Sequence, residues 1–221
     1  MPSRTLIWDP YVRLFHWALV ALIGFLWWSG EDGGMDVMDW HMLAGEAVLA
    51  LVLFRLLWGL WGTRTARFGD FLRGPATLGR EAADLAQGRS RDHAGHGALG
   101  GWMVMVLLAV VAVQAASGLF ASDDLFTSGP LTHWVGSDAE EWLTDLHHDA
   151  FDVLLWLVGL HLAAVLVVYP LRTGINLVRP MITGYKALPS AGVAVTAGVW
   201  LRGGLLLAGS AAAVAAVIQW G

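Results

Sequence analysis

The sequence predicts an all-α membrane protein, with a bundle of four transmembrane helices and a fifth transmembrane helix at its C-terminal end. Apolar residues make up 57% of the chain and charged residues only 14%, and the mean hydropathy is +0.59. An ordinary soluble domain is much less apolar. The apolar residues are also grouped into five windows, most of them close to the 20 or so residues that a helix needs to cross a bilayer. We therefore expect membrane lipid to surround the chain.

The five windows are the predicted transmembrane helices, and they cover residues 14–29, 41–61, 99–120, 148–169 and 203–220. The first window is short, so we expect residues at the membrane interface to extend it. The fifth contains no His, Asp or Glu and is expected to be a packing helix. We therefore divide the chain into a four-helix domain, residues 1–186, and a linker with the C-terminal helix, residues 187–221.

Three polar segments connect the first four windows. Residues 31–39 form an acidic, glycine-containing turn, and residues 63–97 are rich in arginine and are predicted to form a surface helix with turns. Residues 122–146 contain Asp and Glu but no Lys or Arg, and are interpreted as an acidic loop. The linker before the fifth window is interrupted by Pro189, Ser190 and Gly192, and three alternatives stay open for it: a loop, an interfacial stretch or an extension of the span.

The distribution of positive charge predicts the orientation in the membrane. If the N-terminus is cytoplasmic, all 13 Lys and Arg residues lie on or near the cytoplasmic side. Positive residues are retained on that side of bacterial membranes. The acidic segments then face the opposite side.

The absence of cysteine limits the cofactors that the chain can bind. It excludes disulfides, thiolate-bound iron–sulfur clusters and the covalent attachment of c-type haem. Any haem in this chain is therefore held without a covalent bond to the protein.

Five of the eight histidines belong to the predicted transmembrane helices, and they are His16, His41, His147, His148 and His161. A polar side chain at membrane depth is costly and is a functional-site hypothesis by default. The alternative for any one of them is a hydrogen bond between helices. The three remaining histidines, His93, His96 and His133, are predicted to lie in loops.

The spacing of the histidines predicts two haem sites. His147 and His161 are 14 residues apart, which places them within about 40° of one helix face and about 21 Å apart along the axis. In the predicted topology His16 lies at the depth of His161 near the cytoplasm, and His41 lies at the depth of His147 near the opposite surface. Two such pairs on facing helices suit two b-type haems, each with two axial histidines. His148 remains the alternative to His147, from which it is turned by about 100°.

Arg55 is the predicted partner of a haem propionate. It follows His41 by 14 residues and so lies near the same helix face, at the inner depth. A buried guanidinium favours an anionic group. The alternative is that Arg55 extends to the lipid headgroups. His96 could contact a propionate or a quinone.

With these residues considered together, the sequence resembles the bacterial b-561-type cytochromes, most closely the branch typified by the cytochrome b subunit of nickel-iron hydrogenases. The resemblance covers about residues 5–186. The stretches that carry it are Trp8-Asp9-Pro10, Arg13-Leu14-Phe15-His16-Trp17, His41 with Gly45, Phe54-Arg55-Leu56-Leu57-Trp58-Gly59, Leu99-Gly100-Gly101, Leu146-His147-His148 and Leu160-His161.

The resemblance implies a di-haem electron-transfer subunit of an oxidoreductase complex in a bacterial respiratory chain, located in the cytoplasmic (inner) membrane. Its partners would be a redox protein, namely a hydrogenase, a dehydrogenase or a c-type cytochrome, and a quinone or second carrier. No nucleic acid is expected. Two alternatives remain: a cofactor-free anchor or assembly subunit, and a membrane metal-dependent oxidase, which would need more ligands at one depth.

Overall fold

A computed structural model describes residues 4–89, 92–123, 126–187 and 192–220, so the linker residues Pro189 and Ser190 lie outside the described residues. The chain folds as two units. The first unit comprises Met1–Leu14, Leu56–Leu107 and Trp156–Gly204, and the second comprises Phe15–Arg55, Leu108–Leu155 and Leu205–Gly221. Long helices contribute segments to both units.

The described chain is almost entirely helical. Its elements are, in order, strand β1 (Thr5–Leu6), helices α1 (Pro10–Glu31), α2 (Met38–Trp61), α3 (Phe68–Phe71), α4 (Pro75–Ala86), α5 (Ala98–Gly118), α6 (Ser137–Ala163), α7 (Tyr169–Thr173) and α8 (Val178–Thr183), strand β2 (Tyr185–Lys186) and helix α9 (Ala197–Trp220). Short 3₁₀ turns cover Met35–Val37, Arg64–Ala66 and Thr132–Trp134, and a π-helical turn covers Ala164–Val168.

Five helices of the described chain are long and apolar enough to cross a membrane, which confirms the predicted fold class. They span Pro10–Glu31, Met35–Trp61, Ala98–Gly118, Ser137–Thr173 and Ala197–Trp220. Large apolar side chains on them are widely exposed, among them Trp156 at 83%. Such exposure is expected where lipid, rather than water, covers the helix.

The start of the fourth span differs from the sequence prediction. Helix α6 begins at Ser137, so the interpretation of residues 122–146 as a loop is wrong from Ser137 onward. Asp138 and Glu140 lie in its first turn, where acidic side chains stabilise the positive end of the helix dipole. A hydropathy window counts only apolar residues, and therefore misses polar turns that continue a transmembrane helix. The predicted surface helix in residues 63–97 is confirmed as α4.

In the first unit, the buried carboxyl group of Asp9 organises the start of α1. Its Oδ1 accepts hydrogen bonds from the backbone N–H of Tyr11 (2.8 Å) and of Val12 (3.0 Å), which makes Asp9 the N-cap of the helix. Its Oδ2 accepts from Trp58 Nε1 and Thr63 Oγ1. The cap thereby fixes α1 against the end of α2.

The same unit contains a two-stranded antiparallel sheet. Thr5 pairs with Lys186 and Leu6 with Tyr185. Gly184, which ends α8 with φ of 88°, has a carbonyl that accepts the N–H groups of Ile7 (2.8 Å) and Trp8 (3.1 Å). Only glycine adopts this φ without strain, so Gly184 allows the chain to turn directly from α8 into β2.

The core of the second unit is built from apolar side chains of α2, α5 and α6 and the segment between α5 and α6. Its most buried members include Val48, Phe54, Val111, Leu131 and Leu154.

Charge is divided unevenly between the units: 12 of the 13 Lys and Arg residues fall within the sequence ranges of the first unit, and 13 of the 18 Asp and Glu residues within those of the second.

Candidate functional site

His41 and His147 lie close together in the second unit. His41 is in the first turns of α2 and His147 is in α6, and their ring centres are 6.5 Å apart with the planes at 74°. Both side chains line a cavity of about 270 Å³. Apolar side chains form much of the remaining wall, among them Ile23, Leu26, Val111 and Leu154. We call this cavity with its two histidines the His41–His147 site.

The end of α1 supports the His41 ring. Ser29, which is buried, has its hydroxyl oxygen 2.8 Å from His41 Nδ1 and 3.2 Å from the carbonyl oxygen of Leu26. The Leu26 carbonyl can only accept, so the Ser29 hydroxyl accepts from Nδ1–H of His41 when it donates to Leu26, and which nitrogen of His41 bears the proton decides this direction. A Cβ on the next residue, Gly30, would lie 3.4 Å from His41 Cε1. The imidazole therefore lies against the last turn of α1.

The end of α5 supports the His147 ring in a similar way. His147 Nδ1 is 2.9 Å from the backbone carbonyl oxygen of Gln114, to which its N–H donates. The hydroxyl oxygen of Ser117 lies 3.4 Å from the same nitrogen and donates to the same carbonyl at 3.1 Å. A Cβ at Gly118 would lie only 2.8 Å from His147 Cε1. The ring thus lies directly on the backbone of α5.

His147 therefore has the proton on Nδ1 and a lone pair on Nε2, and His41 has the same tautomer when its Nε2 binds a metal. The Nε2 lone pair of His147 accepts a 3.2 Å hydrogen bond from the side-chain amide of Gln114. A metal at this nitrogen would replace the amide, which belongs to a flexible side chain at the cavity wall. The hydrogen bonds at Nδ1 are the kind that orient metal-binding histidines.

The separation of the two rings suits one metal ion between them. A metal–imidazole bond is about 2 Å long, so two imidazoles on opposite sides of one metal have ring centres roughly 6 to 6.5 Å apart. The observed 6.5 Å agrees with this value. Gly45, four residues after His41, also lines the cavity, and a Cβ there would meet no atom within 4 Å. A flat cofactor can therefore approach α2 at this point, and the residues fit a haem.

His148 also borders the cavity, and its ring centre lies 6.2 Å from that of His147. The His147 ring is oriented by the hydrogen bond from its Nδ1–H to the Gln114 carbonyl, which is why we favour it as the ligand. The choice of His147 over His148 as a ligand nevertheless stays a prediction.

The other predicted site residues occupy separate positions. His16 lies in the second turn of α1, half-buried in the second unit, with its ring edge-on to Trp17 at 4.9 Å. His161 lies near the end of α6 in the first unit and is also half-buried. Arg55 in α2 is only 3% exposed. The pairing of His16 with His161, and the role of Arg55, stay predictions.

The three remaining histidines are outside the long helices, as expected. His93 and His96 lie between α4 and α5, and His133 lies in a 3₁₀ turn. The His96 ring is 4.6 Å from the ring of Trp8 and 5.1 Å from that of Phe71.

Sequence reasoning missed four polar residues of the His41–His147 site: Ser29, Glu46, Gln114 and Ser117. Glu46 and Gln114 carried a usable signal, because each is a polar residue inside an apolar window. Ser29 and Ser117 share another signal: each is followed by glycine near the end of a transmembrane helix. Among the described residues, no group of three or more His, Cys, Asp or Glu could hold a metal ion.

A family model described as prokaryotic cytochrome b561 matches residues 7–184, which is most of the chain. No curated protein and no solved structure matches the chain.

Proposed function

Because the chain belongs to the prokaryotic cytochrome b561 family, and is therefore a multi-pass membrane protein that transfers electrons through b-type haem, we propose that it holds two haems. One haem would bind between His41 and His147, and the other between His16 and His161. The observation that carries the proposal is the 6.5 Å separation of the His41 and His147 rings at a common cavity.

The side chains of the His41–His147 site have three tasks in this proposal. His41 and His147 would hold the haem iron through Nε2, while Ser29 and the Gln114 carbonyl hold the rings through Nδ1. The apolar wall limits the access of water. A bound haem b would supply a one-electron Fe(III)/Fe(II) couple. Electron transfer, rather than bond-making chemistry, is therefore the proposed role.

The second haem is supported by the chain positions of its ligands. His16 and His161 are polar residues in membrane-spanning helices, where an ionisable side chain is expensive and usually functional. Arg55 is buried, and a buried guanidinium is most stable beside an anionic group. A haem propionate would provide that anion.

The distribution of charge along the sequence supports an orientation with the N-terminus in the cytoplasm of a bacterium. In that orientation all 13 Lys and Arg residues lie on or near the cytoplasmic side, which such residues favour. The acidic residues of segments 31–39 and 122–146 would then lie towards the opposite side of the cytoplasmic membrane. A redox partner with a basic surface suits these acidic segments. We propose a hydrogenase, a dehydrogenase or a c-type cytochrome as this partner, and a quinone or second carrier as the other.

Haem content tests the proposal. The protein purified in detergent is expected to contain two haems per chain by the pyridine haemochrome assay. His41→Ala and His147→Ala should each lose the same haem, and His16→Ala and His161→Ala should each lose the other. His133→Ala serves as the control and should keep both. If any of the four ligand variants retains two haems, the corresponding pairing is wrong.

A further inference from the structure

Helices α1 and α5 both end with a serine followed by a glycine, and each pair contacts one histidine of the His41–His147 site. Ser29-Gly30 contacts His41, and Ser117-Gly118 contacts His147. In each case the glycine lies against Cε1 of the ring and the serine hydroxyl lies near Nδ1. The two imidazoles are therefore held by the same two-residue arrangement on different helices.

We propose that these two Ser-Gly pairs are positioning elements for the axial histidines, and that Ser29 determines which nitrogen of His41 faces the iron. The proposal rests on the proposed haem between His41 and His147. The glycine leaves room for the ring to lie on the helix, and the serine selects the tautomer. Neither residue touches the iron, so both act through the histidine.

The geometry makes the two serines unequal. Ser29 is 1% exposed and is the described hydrogen-bond partner of His41 Nδ1, at 2.8 Å; it accepts from Nδ1–H when Nε2 binds the iron. Ser117 lies 3.4 Å from His147 Nδ1, whereas the Gln114 carbonyl oxygen accepts from that nitrogen at 2.9 Å. Removing the Ser29 hydroxyl therefore leaves His41 without its orienting partner, while removing the Ser117 hydroxyl leaves the bond to Gln114 in place.

The loss of Ser29 should also change the electronic character of the ligand. A hydrogen bond accepted from Nδ1–H increases the basicity of the imidazole and its donation of electrons to the metal. Less donation favours the reduced iron. The reduction potential of this haem alone is then expected to rise in Ser29→Ala. A loss of overall protein stability would not produce a shift that is confined to one haem.

The chain offers a matched control in Ser210 of α9. Ser210 is as buried as Ser29, at 0% exposure, and its hydroxyl also donates to a backbone carbonyl, that of Leu206 at 2.8 Å. It does not border the cavity. Ser210→Ala therefore removes an equally buried hydroxyl without affecting either histidine.

The experiment compares Ser29→Ala, Ser117→Ala and Ser210→Ala in the full-length haem-loaded protein. Haem transfer to excess apomyoglobin and redox titration of each haem are measured, and the haem missing from His41→Ala identifies the relevant signal. We expect the affinity of that haem to fall about 10- to 100-fold in Ser29→Ala, about twofold to threefold in Ser117→Ala, and not at all in Ser210→Ala.

Two results would overturn the inference: a Ser29→Ala protein that behaves like Ser210→Ala, or one in which both potentials shift equally. Either result leaves the haem proposal intact as long as His41→Ala lacks one haem. If His41→Ala retains both haems, the haem proposal itself fails. The two failures are thus distinguished in one set of variants.

Discussion

The contact between His147 and the backbone of α5 predicts that a single methyl group disturbs haem binding. In Gly118→Ala the new Cβ would lie 2.8 Å from Cε1 and 3.1 Å from Nδ1 of His147, where ordinary contacts begin near 3.4 Å. The ring must therefore move by about 0.6 Å, which is more than the roughly 0.2 Å that a metal–ligand distance tolerates. Overpacking of this kind costs about 1–3 kcal/mol. That energy corresponds to haem binding that is about 5- to 150-fold weaker.

The effect is measured as the rate of haem transfer from detergent-purified protein to apomyoglobin, together with the haem-to-protein ratio. Gly209→Ala in α9 is the control, because a Cβ there would meet no atom within 4 Å. The Gly118 variant should lose one haem quickly and retain the other, and the control should match the wild type. Unchanged transfer in Gly118→Ala would refute the conclusion that His147 needs this glycine.

Three further variants test other parts of the structure. Asp9→Ala should lower the free energy of unfolding by about 3–4 kcal/mol, because it removes the helix cap and takes the carboxylate acceptor away from buried donors. An unchanged melting temperature would contradict this role. Lys186→Met should lower the free energy of unfolding by about 1–3 kcal/mol, since the buried ammonium group donates to Asp92. Adding Asp92→Asn should recover part of this loss, and a double variant no more stable than Lys186→Met would argue against the pair. His148→Ala should keep both haems, and the loss of one would make His148 the ligand instead of His147.

Hydropathy was sufficient to predict the five spans, because the length of an apolar helix is set by the bilayer and not by tertiary contacts. It could not predict where polar residues continue a helix beyond the membrane, as α6 does from Ser137. It also missed the π-helical turn at Ala164–Val168. Pro170 follows this turn, and a proline ring crowds the carbonyl four residues before it. A local π turn relieves that crowding, but the pattern of apolar residues contains no information about it.

In the candidate site, too, the sequence predicted local features but not contacts between helices. The positions of His41 and His147 followed from helical periodicity and membrane depth, both of which are local properties of the sequence. The roles of Ser29 and Gln114 depend on atoms of different helices that lie within 3 Å of each other. A single sequence does not show such contacts. The two Ser-Gly pairs are visible in the sequence, but their meaning depends on the rings that lie against them.

The pairing of β1 with β2 joins the two ends of the family-matched region. Thr5 and Leu6 precede that region, and Tyr185 and Lys186 follow it, so the strand pair holds the two ends of the four-helix segment together. The chain continues beyond β2 into α9, which makes its own contact with α1 through the hydrogen bond from Tyr11 Oη to the Trp200 carbonyl (2.7 Å). The start of α1 is therefore held by two later parts of the chain, the β2 strand and α9. Shortening the chain after Lys186 would keep the first of these restraints and remove the second.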